Sequence, residues 1–162
     1  MKRYKLFVIF TILVVIGCAQ QLNPPEGFYS YDHSEVNALL NQLKFDPEMP
    51  TFLPMKVVFI VTDHFVLEGT KQEAIDVSFY SKENDVLTFQ ATEGTFEYPK
   101  NSEEVQINQH VKGNFTNNQF AKSLYWKKDH ITYVITFRSN MDHKQVSEKV
   151  TKQDLIKVAE AI

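Results

Sequence analysis

The sequence contains few of the residues on which common catalytic and metal-binding motifs depend. Its 162 residues include a single cysteine, Cys18, so no intramolecular disulfide bond can form. Five glycines leave little material for a glycine-rich phosphate-binding loop, and no G-x-S-x-G nucleophile motif occurs. The five histidines are not spaced as metal ligands on one helix or strand. We therefore expect no catalytic residues, no metal site and no cofactor.

Three of the histidines directly follow an aspartate, in Asp63-His64, Asp129-His130 and Asp142-His143. Such dipeptides suggest carboxylate–histidine pairs. Neighbouring residues on a strand point to opposite faces of a sheet, however, so the two side chains of each dipeptide do not meet readily. We expect all three dipeptides to be solvated residues near strand ends or turns.

The sequence also lacks a hydrophobic run long enough to cross a membrane as a helix. Residues 6–17 are apolar except for Thr11, and these twelve residues follow the basic Lys2, Arg3 and Lys5. A helix of that length spans about 18 Å, whereas the hydrocarbon core of a bilayer is about 30 Å thick. The pattern predicts a signal peptide over residues 1–17.

The last three residues of this run, Val15, Ile16 and Gly17, and the Cys18 that follows them resemble the lipobox of bacterial lipoproteins. Val15, Ile16, Gly17 and Cys18 supply a branched apolar residue, a tolerant position, a small residue and then cysteine. The resemblance implies a diacylglycerol on the Cys18 sulfur, cleavage before Cys18, and a lipid anchor at the outer face of the cell membrane. Two acyl chains suffice for stable anchoring. The alternative is an ordinary secretory peptide with an incidental cysteine.

Removal of residues 1–17 would leave 145 residues, a length that suits one domain. The count of basic residues would fall from 17 to 14 beside 20 acidic residues, which gives a formal charge of −6. This acidic balance argues against nucleic acid as a partner. Residues 18–32, with Pro24 and Pro25, are typical of an extended tether, and residues 33–162 are expected to form the domain.

The domain is predicted to be α+β, with a helix near each end. Apolar residues at helical spacing predict a first helix over residues 34–45, with Ser34 as its N-cap. Thr151 and Asp154 form a capping-box pattern at the start of the second helix. We expect both helices to cover one face of a sheet.

Alternating patterns between the helices predict about six mostly antiparallel strands in a meander. Turns are expected at Asn84-Asp85, where two alternating runs form a hairpin, at Lys112-Gly113-Asn114, and around Asp129.

The C-terminal half carries four distinctive features: Thr51-Phe52-Leu53-Pro54, Leu124-Tyr125-Trp126, Tyr133 and the segment from Lys152 to Ile162. Together they resemble an uncharacterised extracytoplasmic domain family found on bacterial lipoproteins and on sporulation and anti-sigma membrane proteins. The resemblance covers residues 51–162, although Ala161 replaces the usual serine and a glycine expected between Asp129 and Tyr133 is missing. It implies a curved antiparallel sheet related to the lipoprotein-carrier fold, with no catalytic residues to carry over.

These observations favour a non-catalytic binding or sensing module with an unknown protein partner. Phe115, Phe120 and Tyr125 are the candidate binding surface, although aromatic residues of this kind are more often part of the core. The alternative is a carrier that shelters an apolar ligand between the sheet and the helices; a hydrolase is a third hypothesis. A carrier requires a large apolar cavity, whereas a partner-binding protein requires an exposed apolar patch and a filled core.

Overall fold

The computed structural model describes residues 23–94, 97–118, 120–140 and 149–162. Within these residues the chain forms two short helices and one antiparallel sheet of seven strands, which confirms the α+β class. The elements are α1 (Ser34–Leu40), β1 (Phe59–Val66), β2 (Glu73–Tyr80), β3 (Val86–Glu93), β4 (Glu103–Gln106), β5 (Lys112–Asn117), β6 (Lys122–Lys128), β7 (Ile131–Arg138) and α2 (Lys152–Glu160).

The strand order is β1-β2-β3-β7-β6-β5-β4, so the sheet consists of two meanders rather than one. Strands β1 to β3 form the first meander and β4 to β7 the second. The two meanders join where β3 pairs with β7 along eight residues. Strands β1 and β4 are therefore the two edges of the sheet.

The prediction of six strands was wrong because β5 was interpreted as a turn. Lys112, Gly113 and Asn114 lie inside β5, and the turn precedes them. There the Asn108 side-chain oxygen accepts hydrogen bonds from the backbone N–H groups of His110 and Val111, both at 2.9 Å. A Cβ atom at position 113 would lie 2.9 Å from the backbone oxygen of Tyr125, so Gly113 permits close approach of β6.

The first helix is shorter than predicted, and its cap differs. The N-cap position is His33, whose side chain makes no capping bond, and the N–H of Ser34 instead donates to Asp32 Oδ1 at 2.9 Å. After Leu40 the chain leaves the helix, and the N–H of Lys44 donates to the Glu73 carboxylate on β2. The predicted capping box of the second helix, by contrast, is confirmed.

One hydrophobic core fills the space between the sheet and the two helices. Trp126 and Tyr133 stack across the β6–β7 hairpin with ring centroids 5.2 Å apart. Leu155 of α2 is fully buried in the same cluster. Phe28 and Tyr31, which lie in the segment predicted to be a tether, are also buried in this core.

Candidate functional site

The three aromatic residues expected to form a binding surface do not share one. Phe115 is buried in the core beneath the Lys152 ammonium group, so it contributes to stability instead. Tyr125 lies on the opposite face of the sheet, because its neighbour Leu124 pairs with Phe115 in the core. There it contacts Tyr98 with ring centroids 6.5 Å apart. Phe120 is 63% exposed in the turn between β5 and β6.

The predicted lipidation site, Cys18, lies outside the described residues, as does the predicted signal peptide. In the part of the chain that the structure describes, neither helix has the length and apolar character needed to traverse a bilayer.

The described histidines of the Asp-His dipeptides lie in separate parts of the fold. Asp129-His130 forms the β6–β7 turn, as predicted, with Asp129 in the left-handed region at φ 54°. His143 lies outside the described residues. Asp63-His64 is within β1 rather than at a turn, because the strand continues to Val66. Within residues 23–94, 97–118, 120–140 and 149–162, no cluster of three or more potential ligands is arranged to hold a metal ion.

His64 lies against a buried carboxylate that organises this end of the sheet. Its Nε2 atom is buried 3.5 Å from Glu73 Oε2. Glu73 is itself 4% exposed and binds both the backbone N–H and the ammonium group of Lys44. These two bonds from Lys44 lower the pKa of Glu73. Glu73 of β2 therefore holds the segment that follows α1 against the sheet.

A second buried carboxylate, Asp85, lies in the β2–β3 turn and joins two distant segments. Its Oδ1 atom accepts from the Ser139 hydroxyl at 2.8 Å and from the Asn140 N–H at 3.1 Å. Its Oδ2 atom lies 2.7 Å from Lys149 Nζ. Burial alone would raise the pKa of Asp85, but these partners together lower it below 3.8. Both carboxylate clusters have evident structural roles.

The most unusual surface of the described residues is apolar and lies along the edge strand β1. Five of the seven exposed large hydrophobic residues are on or next to this strand. Phe59 also stacks on Tyr80 of β2, with centroids 4.4 Å apart and planes 8° from parallel. Three of these five residues share one face of the strand, and we call them the β1 patch: Phe59, Val61 and Phe65.

Sequence reasoning missed the β1 patch for a physical reason. A continuous apolar run such as residues 57–61 is typical of a strand covered on both faces. Here the strand is at the edge of the sheet, and α1 covers only one face of it. The side chains on the other face therefore remain exposed.

A groove separates α1 from β1. Two clefts, of about 220 and 490 Å³, meet at Glu35 and run along the strand. Asp32 and Glu35 line the helix side, and Asp63 lines the strand side. Neither cleft is lined by a lysine or arginine. The lining of the α1–β1 groove therefore includes carboxylates but no lysine or arginine, and it lies beside an apolar patch.

Comparisons with protein-family models, with curated protein sequences and with solved structures gave no match to this chain. Function is therefore inferred from the geometry and charge of the described residues.

Proposed function

We propose that this protein is a lipoprotein anchored to the outer face of the cell membrane, where it acts as a non-catalytic binding or sensing module. The partner is a protein, and it contacts the β1 patch. The exposed apolar stripe along an edge strand is the observation that carries this proposal.

Edge strands normally carry features that discourage pairing with other chains. Charged residues, prolines, bulges or a covering loop are the usual ones. On its exposed face β1 presents Phe59, Val61 and Phe65, with Asp63 as the single charge among them. Scattered exposed apolar residues need no explanation, whereas a contiguous apolar patch is typical of an interaction surface. A partner that covers this patch would remove the cost of hydrating it.

The alternative function, a carrier of an apolar ligand, requires space between the sheet and the helices. In the described residues that layer contains Trp126, Tyr133 and Phe89 in mutual ring contact, each at most 1% exposed. A cleft of about 690 Å³ does occur, but charged groups such as Lys82, Glu83 and Lys149 contribute to its lining. This filled core disfavours the carrier function but is compatible with a curved sheet of the lipoprotein-carrier type. The filled layer favours the binding module.

The proposal of a non-catalytic role is supported by the separation of the candidate acid–base groups. General acid–base catalysis needs groups within hydrogen-bonding reach of one reacting centre. His64 is held beside Glu73 on β1, while His110 and His130 lie in two different turns of the second meander. Turnover of any substrate by the purified chain, if abolished by His64→Ala, would contradict the proposal.

Changing the anchoring residue, Cys18→Ala, is expected to abolish lipidation and leave residues 1–17 attached, because the alanine has no sulfur to receive the diacylglycerol. Metabolic labelling with a radioactive fatty acid and mass spectrometry of the product measure both effects. Ala19→Ser keeps the cysteine and serves as the control. Undiminished label on the alanine variant would refute the anchor.

Substituting the centre of the patch, Val61→Ser, is expected to weaken partner binding while the free energy of unfolding changes by less than about 1 kcal/mol. Val61 is 49% exposed, so the free protein loses little buried apolar area. A photo-crosslinking amino acid at position 59 captures the bound partner in intact cells, and the yield is compared with and without Val61→Ser. Glu104→Ser on the other edge strand is the control. Equal yields from Val61→Ser and Glu104→Ser would contradict a role for the patch.

A further inference from the structure

The outer side of β1 has backbone groups available for another strand. The N–H of Leu67 donates to the carbonyl of Gln72 at 2.9 Å, and this pair continues the register in which Val66 faces Glu73. Hydrogen-bonded and non-hydrogen-bonded pairs alternate along an antiparallel ladder. The odd-numbered residues of β1 therefore bond to β2, and Ile60, Thr62 and His64 direct their N–H and C=O groups outward.

One of these outward groups already has a local partner. The N–H of His64 donates to the Asp63 carboxylate at 2.9 Å, as expected for a group that does not face β2. No such bond occupies the N–H of Ile60 or Thr62 among the hydrogen bonds of the described residues. The backbone N–H groups of Ile60 and Thr62, at the centre of the edge, are therefore available to an added strand.

The two sides of this edge differ in character. Phe59, Val61 and Phe65 project from one face, where the surface is apolar. On the other face the α1–β1 groove presents Asp32 and Glu35. The Ser34 N–H lowers the pKa of Asp32, which keeps this carboxylate ionised. A strand lying along β1 would therefore meet apolar side chains on one face and carboxylates on the other.

We infer that the partner binds as an extended segment that adds a strand to β1 and alternates apolar with basic side chains. This inference rests on the proposed binding function. The apolar side chains would lie beside Val61 and Phe65, and the lysine or arginine side chains would enter the α1–β1 groove. Main-chain hydrogen bonds supply affinity in this mode of recognition, and the alternate side chains supply specificity.

A second copy of this chain fits the edge less well. Pairing β1 with its symmetry mate about Thr62 would place Asp63 opposite Val61 of the other copy, with the two Asp63 carboxylates on a diagonal of about 7 Å. It would also bring together two grooves that each carry Asp32 and Glu35. Like charges brought together in this way destabilise a pair of strands. Charge therefore favours a basic segment.

The probe is an acetylated, amidated, fluorescent octapeptide of alternating valine and lysine, and the protein is the full chain purified in detergent. We expect saturable binding that is at least about tenfold tighter than that of the valine–glutamate octapeptide. Hydrogen exchange at Ile60 and Thr62 should slow when the valine–lysine peptide binds. Asp32→Asn combined with Glu35→Gln should reduce both the affinity and its dependence on salt.

Thr62→Pro removes an outward N–H and should weaken peptide binding about tenfold or more, because proline cannot donate to the added strand. Its matched control is Glu104→Pro on β4, whose N–H also faces outward, since the Ile107 N–H donates to the carbonyl of Val111 in the β4–β5 ladder. A valine–lysine peptide N-methylated at alternate residues tests the same bonds without altering the protein. If Thr62→Pro unfolds the chain, the affinities of the N-methylated and unmethylated peptides for the original protein still test strand addition.

The outcomes separate this inference from the proposed function. If Val61→Ser reduces partner crosslinking but Thr62→Pro and N-methylation change nothing, strand addition is refuted and the patch remains a binding surface. Equal affinity for the lysine and glutamate peptides would refute the basic segment. A dimer that Thr62→Pro dissociates in sedimentation would show that a second copy occupies the edge, which also overturns the inference.

Discussion

Replacing the buried Leu155 with aspartate is expected to lower the free energy of unfolding by at least about 4 kcal/mol, which is most of the stability of a typical domain. Leu155 is fully buried in the core cluster, at the start of the apolar face of α2. The substitution removes the apolar contacts of a leucine and places a carboxylate within the hydrophobic core cluster. Losing the leucine contacts alone costs about 2–5 kcal/mol.

Urea unfolding of residues 23–162, followed by fluorescence, measures this effect. Trp126 is the single tryptophan of the chain and is buried beside Tyr133, so its emission reports on the core. Gln153→Asp introduces the same side chain at an exposed position of the same helix and should change stability by about 0.5 kcal/mol or less. A midpoint for Leu155→Asp equal to that of Gln153→Asp would show that α2 does not pack on the sheet.

The second large effect is expected at Asp85. Asp85→Ala should destabilise the domain by about 3 kcal/mol, because it removes three accepted hydrogen bonds and leaves the Lys149 ammonium group without this partner. Glu104→Ala is the matched control. The Glu104–Lys112 pair has the same 2.7 Å separation as the Asp85–Lys149 pair, but its side chains are 65% and 61% exposed. Exposed pairs contribute about 0.5 kcal/mol, so equal losses would refute a special role for Asp85.

The contribution of Asp85 should also depend on pH. Its pKa is lower in the folded chain than the ordinary 3.8, so the folded state favours the ionised carboxylate. The stabilisation is therefore fully present above pH 3.8 and is lost as the pH falls through the folded pKa. Unfolding curves at pH 7, 4 and 3 should show the difference between the original chain and Asp85→Ala becoming smaller only at the lowest pH. A constant difference would mean that Asp85 does not titrate in this range.

The sequence predicted those parts of the fold that local patterns determine. The alternating runs on either side of Asn84 gave the β2–β3 hairpin, and Asn84 adopts the positive φ of 61° that such a turn requires. Thr151 and Asp154 gave the cap of α2. Local signals failed where a long-range contact decided the outcome. Gly113 is conformationally typical of a turn, but the nearby backbone of β6 makes glycine necessary within a strand.

The candidate site was harder to predict than the fold. Whether Phe115 or Phe59 is exposed depends on which strand is at the edge, and strand order is not a local property of the sequence. The Lys152 side chain of α2 lies over Phe115, whereas Phe59 belongs to an edge strand that α1 covers on one face. The carboxylate-lined groove likewise requires knowing that Asp32 and Glu35 lie beside β1.

The pairing of β3 with β7 has a consequence for how the chain reaches its folded state. Each meander consists of hairpins between sequence neighbours, which can form early. The central ladder instead joins Val86 to Arg138 and Glu93 to Ile131, so it must close a long loop. Until β7 is available, β3 is an unsatisfied edge that carries Leu87 and Phe89. During synthesis, the first three strands are therefore expected to stay prone to aggregation until the C-terminal half is available to complete the sheet.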